Sequence, residues 1–483
     1  MGQSLNHGPV RVHQNNDSQV WLEVMRTGLS AFNAVVLAPC KFDLDPRHQY
    51  WFDSLTKIGL NVLKVEVLDS IDELGIARSC QLSGDLLSVG SNRQMSDTEI
   101  REWFGVCDVP AVTPVGRFLK SRLSRTLHAI LQEELVELQP CVVIANDLLG
   151  MILADKLWGS SKSKLIYDAQ EIFTESYDLL PGPKLNGAER KGWINLETAV
   201  CTSADLVVTV SPGIADFYKS RHMVDCEVIP NFVPLGHSKR RSKGTAENPV
   251  KFVVIGRADP YRGLENLVKS WDFSSDIARL DLIMPDTRQR RALERVSSSV
   301  ERQHGGPNFR SPVRPDEIVA VLASYDVGII PYDYPYPLSH ASPNKFGEYV
   351  AAGLAVLTNS QPFVRQQVEH HQIGRVFSWG IDNDFQSQVG ELLNPEVLRI
   401  ALENSMEAFT ESLNWESSGS GVWVLINEAV TECLNTATEN RPHPIDFEVT
   451  ENANRLEKLH WRLRRKGLLV AQSLLSIMQV LRK

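Results

Sequence analysis

Residues 342–353 are the part of the chain best suited to bind a phosphorylated ligand. They read Ser-Pro-Asn-Lys-Phe-Gly-Glu-Tyr-Val-Ala-Ala-Gly, and an apolar run at residues 354–357 follows them. We expect a helix with Ser342 as the N-cap, Pro343 as the first helical residue and Gly353 as the left-handed residue after the last turn. The free N–H groups and positive partial charge at the start of such a helix favour an anion.

Glu348 lies little more than one turn inside this predicted helix, among aromatic and aliphatic residues. A carboxylate in such surroundings needs hydrogen-bond donors, and two hydroxyl groups of a sugar can supply them. Phosphate at the helix end and ribose at Glu348 would together form a site for a nucleoside diphosphate. An ordinary capped surface helix, with Glu348 in a salt bridge, explains this segment about equally well when it is taken alone.

A second segment, residues 251–264, places two arginines after an apolar run that is typical of a buried parallel strand. Gly256 allows a sharp turn at the end of this strand, and a helix is predicted over residues 264–271. Arg257 and Arg262 flank the turn, at the carboxyl edge where open α/β sheets bind ligands. Their forked donors fit phosphate oxygens and could stabilise a departing diphosphate. Taken singly, each arginine is better explained by a surface ion pair with a nearby carboxylate.

Together, these segments resemble the second domain of the retaining glycosyltransferases of family 4, which have the GT-B architecture of two Rossmann-like domains. The family pattern is a strand that ends in Gly-Arg, a basic residue followed by Gly, and a Glu-containing helix that ends in Ala-Gly. Here these are Gly256-Arg257, Arg262-Gly263 and the helix that contains Glu348. The resemblance implies that both arginines contact the donor diphosphate. The donor-binding residues that it implies are Gly256, Ser342, Pro343, Asn344, Lys345 and Glu348.

The resemblance extends in the right order from about residue 33 to residue 430. Residues 165–173 resemble the first-domain strand and loop that carry a donor-facing His, and residues 45–47, Asp-Pro-Arg, resemble the first loop of many polysaccharide-type members. On the sugar or acceptor side the residues implied are Asp147, Glu171 and Arg47.

Two positions depart from the family pattern. Many members have a second Glu eight residues before Glu348, where this chain has His340. A variant of the pattern uses a Pro-x-Lys turn instead, and Pro343-Asn344-Lys345 fits it. Gln170 stands where the family usually has His, and it can bind a sugar hydroxyl but cannot exchange a proton near neutral pH. The predicted catalytic residues are Arg257, Arg262, Glu348 and Gln170.

The chain of 483 residues is long enough for two or three domains. Alternating strand-like and helix-like runs predict an α/β fold. Residues 70–115 are expected to form an irregular insertion, and a long helix is expected over 117–138. The predicted divisions are an irregular segment 1–32, an acceptor domain 33–236, a linker 237–248, a donor domain 249–412, a crossing helix 413–434 and a tail 435–483.

Composition and charge argue against several classes of binding partner. A net charge of −9 argues against non-specific nucleic-acid binding, and the seven cysteines show neither metal-ligand spacing nor a disulfide framework. We expect a cytoplasmic protein without a signal peptide. Asp43 and Asp45 have the spacing of a metal-binding pair, but they precede a predicted helix, so we interpret Asp45 as its cap. Neither a metal nor a cofactor is predicted.

Residues 455–483 form a basic amphipathic tail with eight Lys or Arg residues and one Glu. Such a helix can lie on anionic lipid, which would make the protein peripheral at the inner face of the membrane. Docking on protein, or dimerisation, explains the pattern somewhat better.

By resemblance, the protein moves a sugar from a nucleotide sugar to a glycan or lipid-linked acceptor, with retention and without a metal. Two alternatives stay open. The first is a catalytically inactive nucleotide-binding protein of the same fold, suggested by Gln170. The second is a nucleotide-sugar epimerase, which would convert the donor without an acceptor.

Overall fold

The computed structural model describes residues 32–68, 80–83, 85–90, 111–130, 138–159, 161–178, 184–238, 249–359 and 361–439. Strands and helices alternate along these residues, and the strands form two separate sheets. The predictions for residues 1–31 and for the basic tail lie outside the described residues, as does most of the predicted linker. The boundaries of the predicted domains stay predictions.

The first sheet has the strand order β3-β4-β2-β1-β5-β6-β7-β8, and its pairs are parallel except β3 with β4. Strand β1 is buried along its whole length, with helices on both faces of the sheet, and this explains its unbroken apolar sequence. The elements are β1 Ala34–Ala38, α1 Pro46–Lys57, β2 Val62–Leu68, β3 Cys80–Ser83, β4 Leu86–Gly90, α2 Pro114–Ile130, β5 Val142–Asn146, α3 Asp147–Trp158, β6 Lys164–Ala169, α4 Phe173–Asp178, α5 Gly187–Ser203, β7 Leu206–Thr209, α6 Pro212–His222 and β8 Glu227–Val228.

The second sheet has the order β11-β10-β9-β12-β13-β14, and all of its pairs are parallel. Its elements are β9 Val250–Ile255, α7 Leu264–Ser270, β10 Ala278–Ile283, α8 Arg288–Ser299, β11 Asn308–Arg310, α9 Ile318–Leu322, β12 Val327–Ile330, α10 Asn344–Ala351, β13 Ala355–Asn359, α11 Pro362–His371, β14 Gly374–Phe377, α12 Asp384–Leu392 and α13 Pro395–Glu411. The α/β prediction is therefore confirmed, with one doubly wound sheet in each half of the chain.

Two expectations about the first half were wrong in part. Residues 80–83 and 86–90 lie within the predicted irregular insertion, yet they form β3 and β4 at the edge of the sheet. Helix α2 begins at Pro114 instead of residue 117, and residues 131–137, the rest of its predicted extent, lie outside the described residues.

After α13 the chain returns to the first sheet through α14 Trp415–Ser418 and α15 Ser420–Glu439. Trp415 donates through Nε1 to Ser54 Oγ at 2.9 Å, and its ring meets that of Trp51 edge-on at 5.4 Å. Val422 and Ile426 of α15 share a core with β1 and β5. These two helices therefore pack on the first sheet. Among the described residues, no helix combines the length and the apolar character needed to cross a membrane.

Candidate functional site

The turn after β9 and the start of α10 lie together at the switch point of the second sheet. Strands β9 and β12 are neighbours, but the chain leaves β9 toward β10 and leaves β12 toward β13. Ligands of doubly wound folds bind at this place, beyond the carboxyl ends of the strands.

Gly256 forms the floor of this turn, with a φ of 134° that side-chain-bearing residues rarely adopt. A Cβ atom here would lie 3.2 Å from Arg262 Nη1 and 3.5 Å from Lys345 Cε. Two cations from different elements therefore flank a surface from which any side chain is absent. This is the arrangement expected for the close approach of a phosphate.

Arg262 is a half-buried cation held by an aromatic neighbour. Its Nη1 donates to Tyr332 Oη at 3.3 Å, and its guanidinium carbon lies 5.3 Å from the centre of that ring. Interaction with Tyr332 raises the pKa of Arg262 and outweighs the opposite effect of burial. Its Nε is buried and finds no hydrogen-bond partner among the described residues. A groove of about 580 Å³ opens beside this turn, between residues 258–266 and the Gln289 to Val296 face of α8.

Arg257 differs from Arg262, although the sequence paired them. Its side chain is 71% exposed, and its Nε lies 3.4 Å from Asp259 Oδ1. Arg262 pairs with the same carboxylate at 3.5 Å. The structure therefore brings Arg262 together with Lys345 and directs Arg257 toward solvent.

Glu348 and Lys345 form a buried ion pair within α10. Lys345 Nζ donates to the two carboxylate oxygens of Glu348 at 3.0 and 2.8 Å, and the two side chains are 16% and 8% exposed. This is the salt bridge that was the alternative to a ribose contact. A carboxylate has four lone-pair sites, so Glu348 can still accept from a ligand while it holds Lys345.

The prediction that Ser342 caps this helix was wrong. The N-cap is Pro343, it makes no side-chain cap, and the helix begins at Asn344. The Ser342 side chain instead accepts from the backbone N–H of Asn231 at 3.3 Å. Because no side chain caps the helix, its first N–H groups can donate to a ligand. Gly353 has the expected left-handed conformation, with a φ of 73°.

The first domain contributes carboxylates at the carboxyl ends of β5 and β6. Asp147 opens α3 directly after β5, with a left-handed φ of 61°, and Gln170 and Glu171 follow β6. Burial raises the pKa of Asp147. The pKa of Glu171 is raised in the same direction by the neighbours that crowd its carboxyl group, although the residue as a whole is exposed. The charge of Arg262, in the second half of the chain, is one of the influences that oppose this shift at Glu171.

Tyr50 of α1 was not predicted from the sequence. Burial raises its pKa, and the next largest cause is the charge of Glu348 in the second half of the chain. Its ring lies 5.6 Å from that of Trp415 in the returning segment, so its surroundings depend on residues far away in sequence.

Arg47 was expected on the acceptor side, and the structure contradicts this. Its side chain is 2% exposed and pairs with Asp168 Oδ1 at 2.7 Å. Asp45, by contrast, is the predicted helix cap, since its Oδ1 accepts from Arg47 N–H at 2.9 Å. Among the described residues, His, Cys, Asp and Glu form no group of three or more that could hold a metal ion. The metal-independent site stays a prediction.

Comparison with solved structures identifies the architecture. Sucrose-phosphate synthase from Thermosynechococcus elongatus superposes with a TM-score of 0.59 at 15% identity, over 83% of this chain and 100% of that one. The fold is GT-B. The HepE protein of Anabaena in complex with UDP-glucose matches with a TM-score of 0.56 at 13% identity, over 83% and 99% of the two chains.

A third GT-B structure, α,α-trehalose 6-phosphate synthase from Burkholderia multivorans, matches with a TM-score of 0.53 at 11% identity, over 84% and 100% of the two chains. By sequence, the chain matches no protein-family model and none of the curated proteins. At such low identity the likeness shows the fold, and the function has to be argued from the site.

Proposed function

We propose that the protein is a glycosyltransferase that moves a sugar from a nucleoside-diphosphate sugar to a glycan or lipid-linked acceptor, with retention. The observation that carries this proposal is the pair of cations, Arg262 and Lys345, that lie on either side of Gly256. They lie beside the start of α10, where no side chain caps the helix. The similar HepE structure is a complex with UDP-glucose, which supports a donor of this class.

In this reaction the bond between the anomeric carbon and the terminal phosphate oxygen breaks, and the diphosphate leaves with the electron pair. Arg262, Lys345 and the first N–H groups of α10 would stabilise the charge that develops on it, in the manner of an oxyanion site. Arg257 would add a more distant charge, because it is exposed. Glu348 would accept from the ribose hydroxyls.

The acceptor oxygen would attack the same face of the sugar that the diphosphate leaves, and its proton would pass to a phosphate oxygen. No separate protein base and no metal are needed in this scheme. Gln170 would hold a sugar hydroxyl, and Asp147 and Glu171 would accept from hydroxyls on the sugar or acceptor side.

A second candidate is a protein of this fold that binds the nucleotide without transferring the sugar. Gln170 favours it, because Gln cannot take part in proton exchange as the His of related enzymes can. The contact of the tail at 455–483 with a membrane stays a separate prediction.

The test is to incubate the purified protein with UDP-, GDP-, ADP- and dTDP-sugars, with and without lipid extracts as acceptors, and to measure release of nucleoside diphosphate. Release from one donor should fall by about 10²-fold in Arg262→Met, since the loss of one such donor typically costs that much. Arg257→Ala should cost less. Arg399→Met, which removes an exposed arginine paired with Glu396 and Glu403, is the matched control.

Three results would argue against the proposal. Nucleotide binding without release under every condition would favour the non-catalytic protein. Conversion of the donor sugar without an acceptor would indicate an epimerase. Equal activity of the Arg262 and Arg399 variants would show that Arg262 takes no part in the reaction.

A further inference from the structure

Arg47, at the start of α1, makes a buried two-point ion pair with Asp168 at the end of β6. Its Nε donates to Asp168 Oδ2 at 2.8 Å, and its Nη2 donates to Oδ1 at 2.7 Å. Trp51 Nε1 adds a third donor to Asp168 at 2.8 Å. The carboxyl group is completely buried, and these three donors supply the hydrogen bonds that it would otherwise lose on burial.

The remaining nitrogen of Arg47 reaches the chain between the two domains. Its Nη1 donates to the carbonyl oxygen of Ile229 at 2.8 Å and to Asn231 Oδ1 at 3.1 Å. The guanidinium also lies 4.9 Å from the ring centre of Trp415, in the returning segment. The outgoing and returning connections between the domains therefore both contact this one side chain.

Asn231 continues these contacts into the second domain. Its Nδ2 donates to the carbonyl oxygen of Ser342 at 2.8 Å, directly before the N-cap of α10. Inside α10, a Cβ atom on Gly347 would lie 2.3 Å from the carbonyl oxygen of Asn231. The first half of α10 therefore rests on the backbone of the connecting segment.

At its other end the same series reaches the opposite side of the cleft. Asp168 lies two residues before Gln170, whose backbone N–H donates to the carbonyl oxygen of Asp168 at 3.2 Å. A continuous set of buried and partly buried polar contacts thus runs from the loop after β6, through Arg47 and Asn231, to the start of α10.

We propose that Arg47 and Asn231 are positioning residues that hold the start of α10 at a fixed place relative to the Gln170–Glu171 loop. Neither side chain would touch substrate. The catalytic consequence rests on the proposed function, because a transfer reaction depends on the donor and acceptor sides being placed to within about 1 Å. The mechanical consequence, coupling of the two sides, does not rest on it.

The test uses the full-length protein and two variants of one residue. Asn231→Asp keeps an acceptor for Arg47, removes the donation to Ser342 and places a carboxylate oxygen against the Ser342 carbonyl oxygen, which repels it. Asn231→Ala removes both contacts but leaves the pair of Arg47 with Asp168, so the fold should persist. The matched control is Asn404→Ala, which deletes an exposed Nδ2 donation to the carbonyl oxygen of Gln372 at 3.2 Å.

The first readout is amide hydrogen exchange followed by mass spectrometry, which needs no substrate. In Asn231→Asp, exchange in residues 344–351 should become several-fold faster, and residues 165–172 should not change. In Asn231→Ala both segments should exchange faster. Asn404→Ala should leave the exchange of both segments unchanged. The melting temperatures of all three variants should be similar.

The second readout is kcat and KM for the nucleotide sugar that the nucleoside-diphosphate release assay identifies as the donor. Both Asn231 variants should lower kcat about 10-fold or more and leave KM for the donor within about twofold, because the contact positions reacting groups and binds no ligand. A merely structural role would change stability without this separation of kcat from KM.

The outcomes separate this inference from the proposed function. If no donor is turned over by the wild-type protein, the transferase proposal fails while the exchange experiment still decides the coupling. Unchanged exchange in residues 344–351 of both variants would overturn the inference. A rise in KM alone would also overturn it, because it would make Asn231 part of the donor site.

Discussion

The two sides of the cleft present opposite charges to whatever lies between them. The second-domain side carries Arg262 and Lys345 around a glycine floor. The first-domain side carries Asp147 and Glu171 beside Gln170. A diphosphate fits the first arrangement, whereas hydroxyl groups, which donate to carboxylates, fit the second.

The charged groups of the two sides also differ in how they are paired. Arg262 and Lys345 are each paired with a carboxylate, Asp259 and Glu348. The carboxyls of the first domain have no comparable close pairing in the described residues, and burial raises the pKa of both Asp147 and Glu171. Under the proposed function, this difference fits a diphosphate on the second-domain side and uncharged hydroxyl groups on the first-domain side.

Among changes to the two sides of the cleft, loss of Lys345 should lower activity the most. In Lys345→Met the donor side loses one of its two central cations, and kcat/KM for the nucleotide sugar should fall about 10²-fold or more. Binding of the free nucleoside diphosphate, measured by calorimetry, should weaken as well.

The control for this variant is Lys269→Met, which breaks a Lys–Glu pair on the exposed face of α7, with Glu265 at 2.6 Å. It should keep wild-type activity. A loss of less than about threefold in Lys345→Met would mean that the diphosphate lies elsewhere.

A change on the first-domain side should have a smaller and different effect. Gln170→Ala should lower kcat about 10-fold through loss of a hydrogen bond to the sugar, an effect of about 1.4 kcal/mol. The affinity for the free nucleoside diphosphate, measured by calorimetry, should stay the same, because Gln170 lies on the other side of the cleft.

Gln386→Ala is the matched control, since Gln386 uses its side-chain amide on the surface to reach the carbonyl oxygen of Ser270 at 3.2 Å. Weaker nucleotide binding in the Gln170 variant would contradict the division between the two sides.

The smallest expected effect is on stability. The folded protein raises the pKa of Asp147 above its unfolded value, so the folded state binds more protons and stability falls as pH rises between those two values. Asp147→Asn removes this penalty, keeps an acceptor for Leu148 N–H and tolerates the left-handed backbone.

We expect the melting temperature of Asp147→Asn to exceed that of the wild type by about 2 °C at pH 7. The difference should disappear as pH falls below the unfolded pKa of about 3.9. Exposed Asp276→Asn is the control. If the melting temperature of Asp147→Asn, relative to that of the wild type, were lower at pH 7 than at pH 4, the pKa of Asp147 would be lowered by folding and not raised.

The central strands could be predicted from sequence because their signal is local. The apolar run that starts at residue 251 was expected to form a buried parallel strand, and it lies in β9, Val250–Ile255, since an unbroken apolar run is what burial on both faces requires. Strands β3 and β4 were missed because they are short and lie at the sheet edge, within a segment rich in Ser, Gly and acidic residues.

The errors at the site have a different cause, which is contact between residues far apart in sequence. Ser342 is a residue type that often caps helices, but its side chain instead accepts from Asn231 N–H in the segment that connects the two domains. Arg47 stands in an Asp-Pro-Arg loop that predicts an exposed position, and its partner Asp168 lies 121 residues away. Gly256 was placed correctly because a tight turn after a buried strand is a local feature.

The return of the chain to the first domain has a consequence for dissecting the protein. Val422 and Ile426 of α15 fill the same core as β1, β5 and Trp51, so the first sheet is completed by residues from the far end of the chain. A fragment that stops at the linker would leave that apolar surface uncovered and would tend to aggregate. The halves of this protein are therefore better separated by mutation in the intact chain than by expressing them as pieces.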